Sequence, residues 1–117
     1  MKKLAWMVLA MGLALPGSAF SYGAIAIDDQ MGDVDPAYGF AIGRDSKHEA
    51  KRVAMKYCKE YGGTNCRTIV WFETCGAVAV SRKYYGYGYG RTKGKAIDDA
   101  LEMCQHKRCR VVAAECE

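Results

Sequence analysis

Six cysteines carry the clearest chemistry of this 117-residue sequence, and they stand at Cys58, Cys66, Cys75, Cys104, Cys109 and Cys116. An even number of cysteines in a short chain with an export signal, described below, predicts three disulfide bonds. The alternative is a zinc site, which would use Cys104, His106, Cys109 and Cys116. Because Cys-x4-Cys is wider than the usual Cys-x2-Cys ligand spacing, and export leads to an oxidising compartment, we expect disulfides and no bound metal.

His48 and His106 are the two histidines, and so the first candidates for acid–base catalysis. A histidine pair of the ribonuclease type needs both rings in one cleft, and nothing in the sequence brings these two together. The sequence also lacks a Gly-x-Ser-x-Gly elbow, a phosphate-binding P-loop and a His-Glu-x-x-His motif. We therefore predict no catalytic residues and no cofactor, and a small hydrolase is the least favoured function.

The segment Tyr-Tyr-Gly-Tyr-Gly-Tyr-Gly-Arg at positions 84–91 is the most unusual in composition. On a strand, Tyr85, Tyr87 and Tyr89 project from one face as a row. Tyrosine combines apolar area with a polar tip, so such a row suits sugar stacking or a protein interface. We expect the row to be partly buried, with the tyrosine tips and Arg91 at its rim. The candidate binding residues are Tyr84, Tyr85, Tyr87, Tyr89 and Arg91.

Two further groups of charged residues have plain structural explanations. Asp28, Asp29, Asp33 and Asp35 form an acidic segment between two predicted strands. Calcium needs several converging oxygens, but this segment lacks the Asp-x-Asp-x-Asp-Gly order, so we expect a solvated turn. The basic residues of the first predicted helix are expected to form its solvent-exposed face: Lys47, Lys51, Arg52, Lys56 and Lys59.

Residues 1–21 have the parts of an export signal. Lys2 and Lys3 precede an apolar run over 4–15 and small residues at 16–19, and cleavage after Ala19 or Ser21 would fit. The apolar run is too short to span a bilayer. Removing residues 1–21 takes away both lysines and lowers the net charge from +4 to +2. A nearly neutral chain disfavours a nucleic-acid binder, and no later apolar run is long enough for a membrane helix. The predicted location is the periplasm or the cell exterior.

Residues 22–74 and 75–117 can be aligned as two repeats of a single domain. The matching pairs, in chain order, are Gly23 with Gly76, Gly43-Arg44 with Gly90-Arg91, Cys58 with Cys104, and Cys66-Arg67 with Cys109-Arg110. Helical periodicity follows Ser46 and Thr92, and β-branched or alternating segments surround each helix. The sequence therefore predicts an α+β fold: a duplicated β-β-α-β unit, with antiparallel sheet and two helices.

Each predicted hairpin has a bulky face and a small face. Ile25 and Ile27 lie on one side of the first strand, and Ala24 and Ala26 on the other. We expect the bulky faces to pack under the helices. The glycine and alanine faces of the two repeats are then expected to meet each other, the alternative being an exposed contact surface.

The repeat also suggests how the cysteines pair, although spacing alone leaves fifteen pairings. Cys58 ends one predicted helix and Cys66 opens the next strand, and Cys104 and Cys109 stand in the same relation. Equivalent positions are expected to pair equivalently, giving Cys58–Cys66 and Cys104–Cys109. Cys75 then pairs with Cys116.

These features together resemble a family of small exported bacterial proteins, domain of unknown function 4189. The resemblance rests on Tyr-Gly-Ala-Ile-Ala at 22–26, Val70-Trp71 after Cys66, Cys-Gly-Ala-Val-Ala at 75–79, and the aromatic-glycine segment at 85–90. Ala114, where an aromatic matching Trp71 is expected, is a departure. The resemblance implies an exported, disulfide-bonded domain, and it transfers no activity and no catalytic residues.

The predicted function is that of an exported, non-enzymatic binding module. We expect a protein partner, of the kind bound by an inhibitor or immunity protein, because the chain is small, cross-linked and without catalytic groups. A glycan or peptidoglycan binder using the tyrosine row is the alternative.

Overall fold

A computed structural model describes residues 20–117; residues 1–19, which hold most of the predicted export signal, lie outside the described part. The described residues form six strands and two helices, in the order β1 (Tyr22–Asp28), β2 (Ala37–Arg44), α1 (Lys47–Glu60), β3 (Arg67–Phe72), β4 (Cys75–Ser81), β5 (Tyr84–Gly90), α2 (Lys93–Cys104) and β6 (Arg110–Cys116). The predicted α+β fold is confirmed, with the β-β-α-β unit occurring twice.

Each repeat forms its own three-stranded antiparallel sheet. The strand order is β2-β1-β3 in the first repeat and β5-β4-β6 in the second, so the first strand of each repeat is central. The register against the last strand shifts between Ile25 and Ala26 in one sheet, and between Val78 and Ala79 in the other. These are equivalent positions, so the duplication extends to the irregularities of the sheet.

The helices lie on the glycine- and alanine-rich faces of the sheets, and our prediction that the bulky faces pack under them is wrong. Ala50 and Ala54 of α1 are completely buried against the alanines of the first sheet. A Cβ atom on Gly39 would overlap the backbone carbonyl of Ala54, and one on Gly86 would overlap that of Ala100. The missing side chains therefore let each helix backbone approach its sheet closely.

The bulky faces pack against each other between the two sheets. Ile25 and Ile27 of β1 and Val78 and Val80 of β4 are at most 1% exposed there. The prediction that the glycine and alanine faces meet is therefore also wrong, because joining the large apolar faces removes more hydrocarbon from water. The layers follow in the order α1, first sheet, second sheet, α2.

Local chemistry determines where the helices start. The Ser46 hydroxyl accepts the Glu49 N–H at 3.1 Å, and the Thr92 hydroxyl accepts the Lys95 N–H at 3.1 Å. Each cap satisfies an amide that has no partner inside its helix. Within residues 20–117 no helix combines the length and the apolar character needed to cross a membrane.

Three disulfide bonds join elements that the sheets and helices bring together. The pairs are Cys58–Cys66, Cys104–Cys109 and Cys75–Cys116, as the alignment of the repeats predicts. The first two tie the end of each helix to the strand that follows it. The third ties the start of β4 to the end of β6, inside the second sheet.

Candidate functional site

The tyrosine row of β5 is divided among three environments. Tyr85 and Tyr87 are half-buried in the core between the sheets. Tyr89, on the same face, lies past that core and is 55% exposed. Tyr84, on the other face, is 46% exposed, and its ring stacks on His106 with centroids 4.8 Å apart. The two most accessible tyrosines of β5, Tyr84 and Tyr89, therefore lie at opposite ends of the strand.

Tyr89 borders an open groove at the edge of the sandwich where β3 and β5 face each other. This groove, which we call the aromatic groove, has a volume of about 480 Å³ and is lined by Ile69, Val70, Trp71, Phe72, Glu73, Thr74 and Tyr89. Phe72 is 3% exposed and anchors it in the core. Because β3 is an edge strand of its sheet, the groove is reached from the side of the molecule.

Trp71 lines the aromatic groove from β3, and its ring packs toward the α1 side of the first sheet, where neighbours hold it in place. Its ring lies 6.4 Å from that of Tyr22, and the Lys47 ammonium lies 3.9 Å from its centroid, in a cation–π contact. The predicted site residue Arg91 is exposed and follows Gly90, whose carbonyl accepts the Thr74 hydroxyl at 2.6 Å. The backbone of Arg91 therefore lies next to the aromatic groove.

Tyr85 takes part in a structural network. The Arg67 guanidinium donates to the Tyr85 hydroxyl at 2.9 Å and to the Asp29 carboxylate at 2.6 Å. The bond from Arg67 lowers the pKa of Asp29. Both the ring and the hydroxyl of Tyr85 therefore make contacts within the protein.

The acidic segment between β1 and β2 is exposed, but arginines pair with its carboxylates. Asp33 lies 2.7 Å from the guanidinium of Arg82, and Asp35 lies 2.7 Å from that of Arg110. Both arginines belong to the second repeat, so this segment connects the two halves. Within the described residues no three potential metal ligands come together as an ion site.

Asp28 differs from its acidic neighbours because it is completely buried. Its carboxylate accepts the N–H groups of Asn65 at 2.8 Å, Gln30 at 2.9 Å and Thr64 at 2.9 Å. These bonds, with that of Asn65 the largest contributor, lower the pKa of Asp28. The residue fixes the loop between α1 and β3 to the end of β1.

A second depression lies at the other end of β5, around the stacked pair Tyr84 and His106. This basic pocket, as we call it, has a volume of about 410 Å³ and is lined by Asp33, Ser81, Arg82, Lys83, Tyr84, His106, Lys107 and Arg108. Ser81 is 4% exposed, and its hydroxyl lies 3.3 Å from His106 Nδ1. The sequence reasoning missed this pocket.

Two signals in the sequence point to the basic pocket once the fold is known. Ser81 occupies the position in β4 that Asp28 occupies in β1. The two turns beside it each carry a pair of adjacent basic residues, Arg82-Lys83 and Lys107-Arg108. Only the fold shows that these turns are neighbours in space.

The two histidines lie at opposite ends of the molecule. His48 is in the first turn of α1, next to Lys47, whose ammonium covers Trp71 near the end of β3. His106 contacts Ser81 at the far end of β4. The structure therefore does not bring them into one cleft, and the histidine-pair version of a hydrolase has no geometric basis.

The fold and surface define a class of small α+β protein, cross-linked by three disulfides, with an aromatic groove at one end of β5 and a basic pocket at the other. Three structural disulfides are typical of proteins outside the reducing cytoplasm. Residues 22–116 match the family described as domain of unknown function DUF4189, and the chain belongs to that family.

Relatives are found among mycobacterial proteins. Rv1813c of Mycobacterium tuberculosis is 33% identical over 97 residues, covering 83% of this chain and 62% of the relative. Rv1269c of the same organism is 32% identical over 80 residues, covering 68% of this chain and 58% of the relative. The chain thus spans about three fifths of the length of these relatives. The NMR structure of Rv1813c superposes with a TM-score of 0.61 at 30% identity, over 84% of this chain and 76% of that one.

Proposed function

We propose that this protein is an exported, non-enzymatic binding module of the periplasm or cell exterior, and that it recognises a protein partner through the aromatic groove. The observation that carries the proposal is the setting of Tyr89. Tyr89 is 55% exposed and lines the aromatic groove together with Trp71 and Val70, while Tyr85 and Tyr87 are half-buried in the core between the sheets. Tyrosine and tryptophan beside a desolvated pocket are the residues most enriched in protein-binding hot spots.

The scaffold favours tight recognition because the groove is formed before any partner arrives. Trp71 is held by Tyr22 and Lys47, and Phe72 is buried in the core between the sheets. A binding surface that is already ordered loses little conformational entropy on association. This property supports the role of an inhibitor or immunity-type protein, which must hold its target firmly.

Position-specific cross-linking tests the proposal. A photo-cross-linking residue at position 89 of the intact, disulfide-bonded protein is expected to give a discrete protein adduct in cell-envelope and secreted fractions. The matched control places the same residue at position 84, which is exposed on the same strand but at its other end. Equal adducts from both positions, or none from position 89, would contradict a partner in the aromatic groove.

Affinity for the captured partner then measures the contribution of the groove. Tyr89→Ala is expected to weaken binding by about thirtyfold, which corresponds to about 2 kcal/mol for a hot-spot side chain. Tyr84→Ala is expected to change it less than twofold. If the protein instead sediments with peptidoglycan, and Tyr89→Ala abolishes that sedimentation, the groove is a glycan site and the protein-partner proposal fails.

A further inference from the structure

We propose that the basic pocket binds a phosphate group carried by an anionic ligand. The pocket is separate from the aromatic groove, since Tyr84 and Tyr89 mark opposite ends of β5, and the inference does not depend on the proposed protein partner. Two turns of the second repeat form it: the β4–β5 turn at Arg82-Lys83 and the α2–β6 loop at 105–109.

The basic pocket carries an excess of positive charge. Arg82, Lys83, Lys107 and Arg108 line the pocket together with one carboxylate, Asp33. That carboxylate lies 2.7 Å from Arg82 and balances it. Among residues 20–117, Lys83, Lys107 and Arg108 form no ion pair. Three cations around one depression repel each other, and an anion placed between them removes that repulsion.

Hydrogen bonding and stacking fix the orientation of His106. Its Nδ1 atom accepts the backbone N–H of Arg108 at 3.2 Å, which in the neutral ring places the proton on Nε2. The Ser81 hydroxyl lies 3.3 Å from the same Nδ1 atom, and Tyr84 stacks on the ring with planes 14° apart. Within the described residues Nε2 has no hydrogen-bond partner, so it is a donor held ready for an acceptor.

Covalent and hydrogen bonds hold both turns of the basic pocket in place. The Cys104–Cys109 disulfide closes the loop that carries His106, Lys107 and Arg108, and the Cys109 N–H donates to the His106 carbonyl at 2.9 Å. In the other turn Lys83 has a φ of 70°, and its N–H donates to the Val34 carbonyl at 3.1 Å. The cationic side chains therefore extend from backbone whose conformation these bonds hold even when no ligand is bound.

This set of donors matches a phosphate group in particular. Residues with ammonium, guanidinium and imidazole N–H groups line the pocket from two turns, and phosphate offers three strong acceptor oxygens to receive such donors. The ring of Tyr84, 46% exposed at the mouth, can in addition contact an apolar part of the ligand. An organic phosphate satisfies all of these features.

Titration of the intact protein with inorganic phosphate, followed by amide NMR at constant ionic strength, tests the proposal. Saturable shifts are expected at Lys83, His106 and Lys107. Lys107→Ala/Arg108→Ala is expected to weaken phosphate binding about tenfold or more, since two charge-assisted contacts are lost. The matched control, Arg52→Ala/Lys56→Ala, removes the same charge from the exposed face of α1 and is expected to change binding less than twofold.

The outcomes separate a pocket from general attraction between charges. Equal weakening in both double variants, unchanged binding in Lys107→Ala/Arg108→Ala, or shifts that never saturate would overturn the proposal. Glycerol 3-phosphate and dimethyl phosphate distinguish the source of the group. Tighter binding of the first assigns a terminal phosphate, and tighter binding of the second assigns a phosphodiester. If neither competes with inorganic phosphate, a phosphate carried by an organic ligand is excluded.

Discussion

Asp28 at the end of β1 and Ser81 at the end of β4 occupy the same position in the two repeats, and both are buried polar residues that hold the loop after a helix. In the first repeat a carboxylate accepts backbone amides of Thr64 and Asn65. In the second repeat a hydroxyl contacts the ring of His106. The first arrangement fills its loop with internal hydrogen bonds, whereas the second leaves a histidine and several cations around an open pocket.

A second difference lies in the segments that join the two strands of each hairpin. The first repeat has an eight-residue segment, 29–36, between its hairpin strands, whereas the second has the two-residue turn Arg82-Lys83. The longer segment carries the aspartates that pair with Arg82 and Arg110. The aspartates of the first repeat's segment and the basic residues of the second repeat's turns are therefore concentrated in different parts of the chain.

The two repeats also differ at the opposite end of the molecule, near the start of β1 and β4. There the second repeat has the Cys75–Cys116 disulfide, whereas the first repeat has Tyr22 packed against Trp71. Because the first repeat has no disulfide at this place, its aromatic side chains border an accessible groove. Each repeat is thus closed at one end, by the hydrogen bonds of Asp28 or by the Cys75–Cys116 disulfide, and borders an accessible depression at the other end.

Removing the disulfide that only the second repeat has is expected to produce the largest loss of stability. Cys75–Cys116 closes a separation of 41 residues, against 8 for Cys58–Cys66 and 5 for Cys104–Cys109. Loop-closure entropy then predicts a loss of about 4 kcal/mol for Cys75→Ala/Cys116→Ala and about 2 kcal/mol for Cys104→Ala/Cys109→Ala. Urea unfolding of both double variants measures the difference. Equal losses would show that the long disulfide is not the dominant constraint.

Replacing the buried carboxylate tests the comparison between Asp28 and Ser81 directly. Asp28→Asn leaves buried amides with a weaker acceptor, and we expect the Tm at pH 7 to fall by on the order of 10 °C. Ser81→Ala removes one neutral contact and is expected to lower the Tm by about a third as much. Scanning calorimetry gives both values. A larger loss of Tm in Ser81→Ala than in Asp28→Asn would contradict the stronger structural role that we assign to Asp28.

The pH dependence gives this prediction an internal control. The pKa of Asp28 is lowered by folding from its ordinary value of 3.8. Its stabilising contribution is therefore fully present above pH 3.8 and is lost as the pH falls through the lower, folded value. The difference in Tm between the native protein and Asp28→Asn is expected to be constant from pH 7 to pH 5 and to shrink below about pH 4.

The sequence predicted the fold well because the same pattern of residues occurs twice in the chain. Cys58 and Cys104, and Cys66 and Cys109, indicated both the duplication and the disulfide pairs. The sequence did not correctly predict which face of each sheet packs against a helix. Alternation on β1 separates Ile25 and Ile27 from the alanines, but it does not say which face a helix covers. The alanines of the buried helix faces, such as Ala54 opposite Gly39, were the overlooked sign of close helix packing.

The candidate sites were less predictable because they depend on contacts between distant segments. Tyr85 and Tyr89 have the same spacing and face, yet only the position of the second sheet decides which one is covered. The basic pocket unites residues 81–84 with residues 106–108, and strand order alone does not reveal that neighbourhood. Ala114 departs from the aromatic residue expected to match Trp71, and Trp71 itself lines the aromatic groove.

The smallest expected effect concerns the ion pairs that join the repeats. Asp33–Arg82 and Asp35–Arg110 are short, at 2.7 Å each, but their side chains are between 39% and 69% exposed. Exposed pairs contribute about 0.2–1 kcal/mol each, so Asp33→Asn/Asp35→Asn is expected to cost about 1 kcal/mol in low salt and less in 0.5 M salt. Urea unfolding at the two salt concentrations measures this. A loss above about 2 kcal/mol that salt does not reduce would show that packing of the acidic segment, rather than its charge, holds the repeats together. Because the same change frees Arg82, phosphate binding in the basic pocket is expected to strengthen in this variant, which separates the electrostatic role of Asp33 from its structural role.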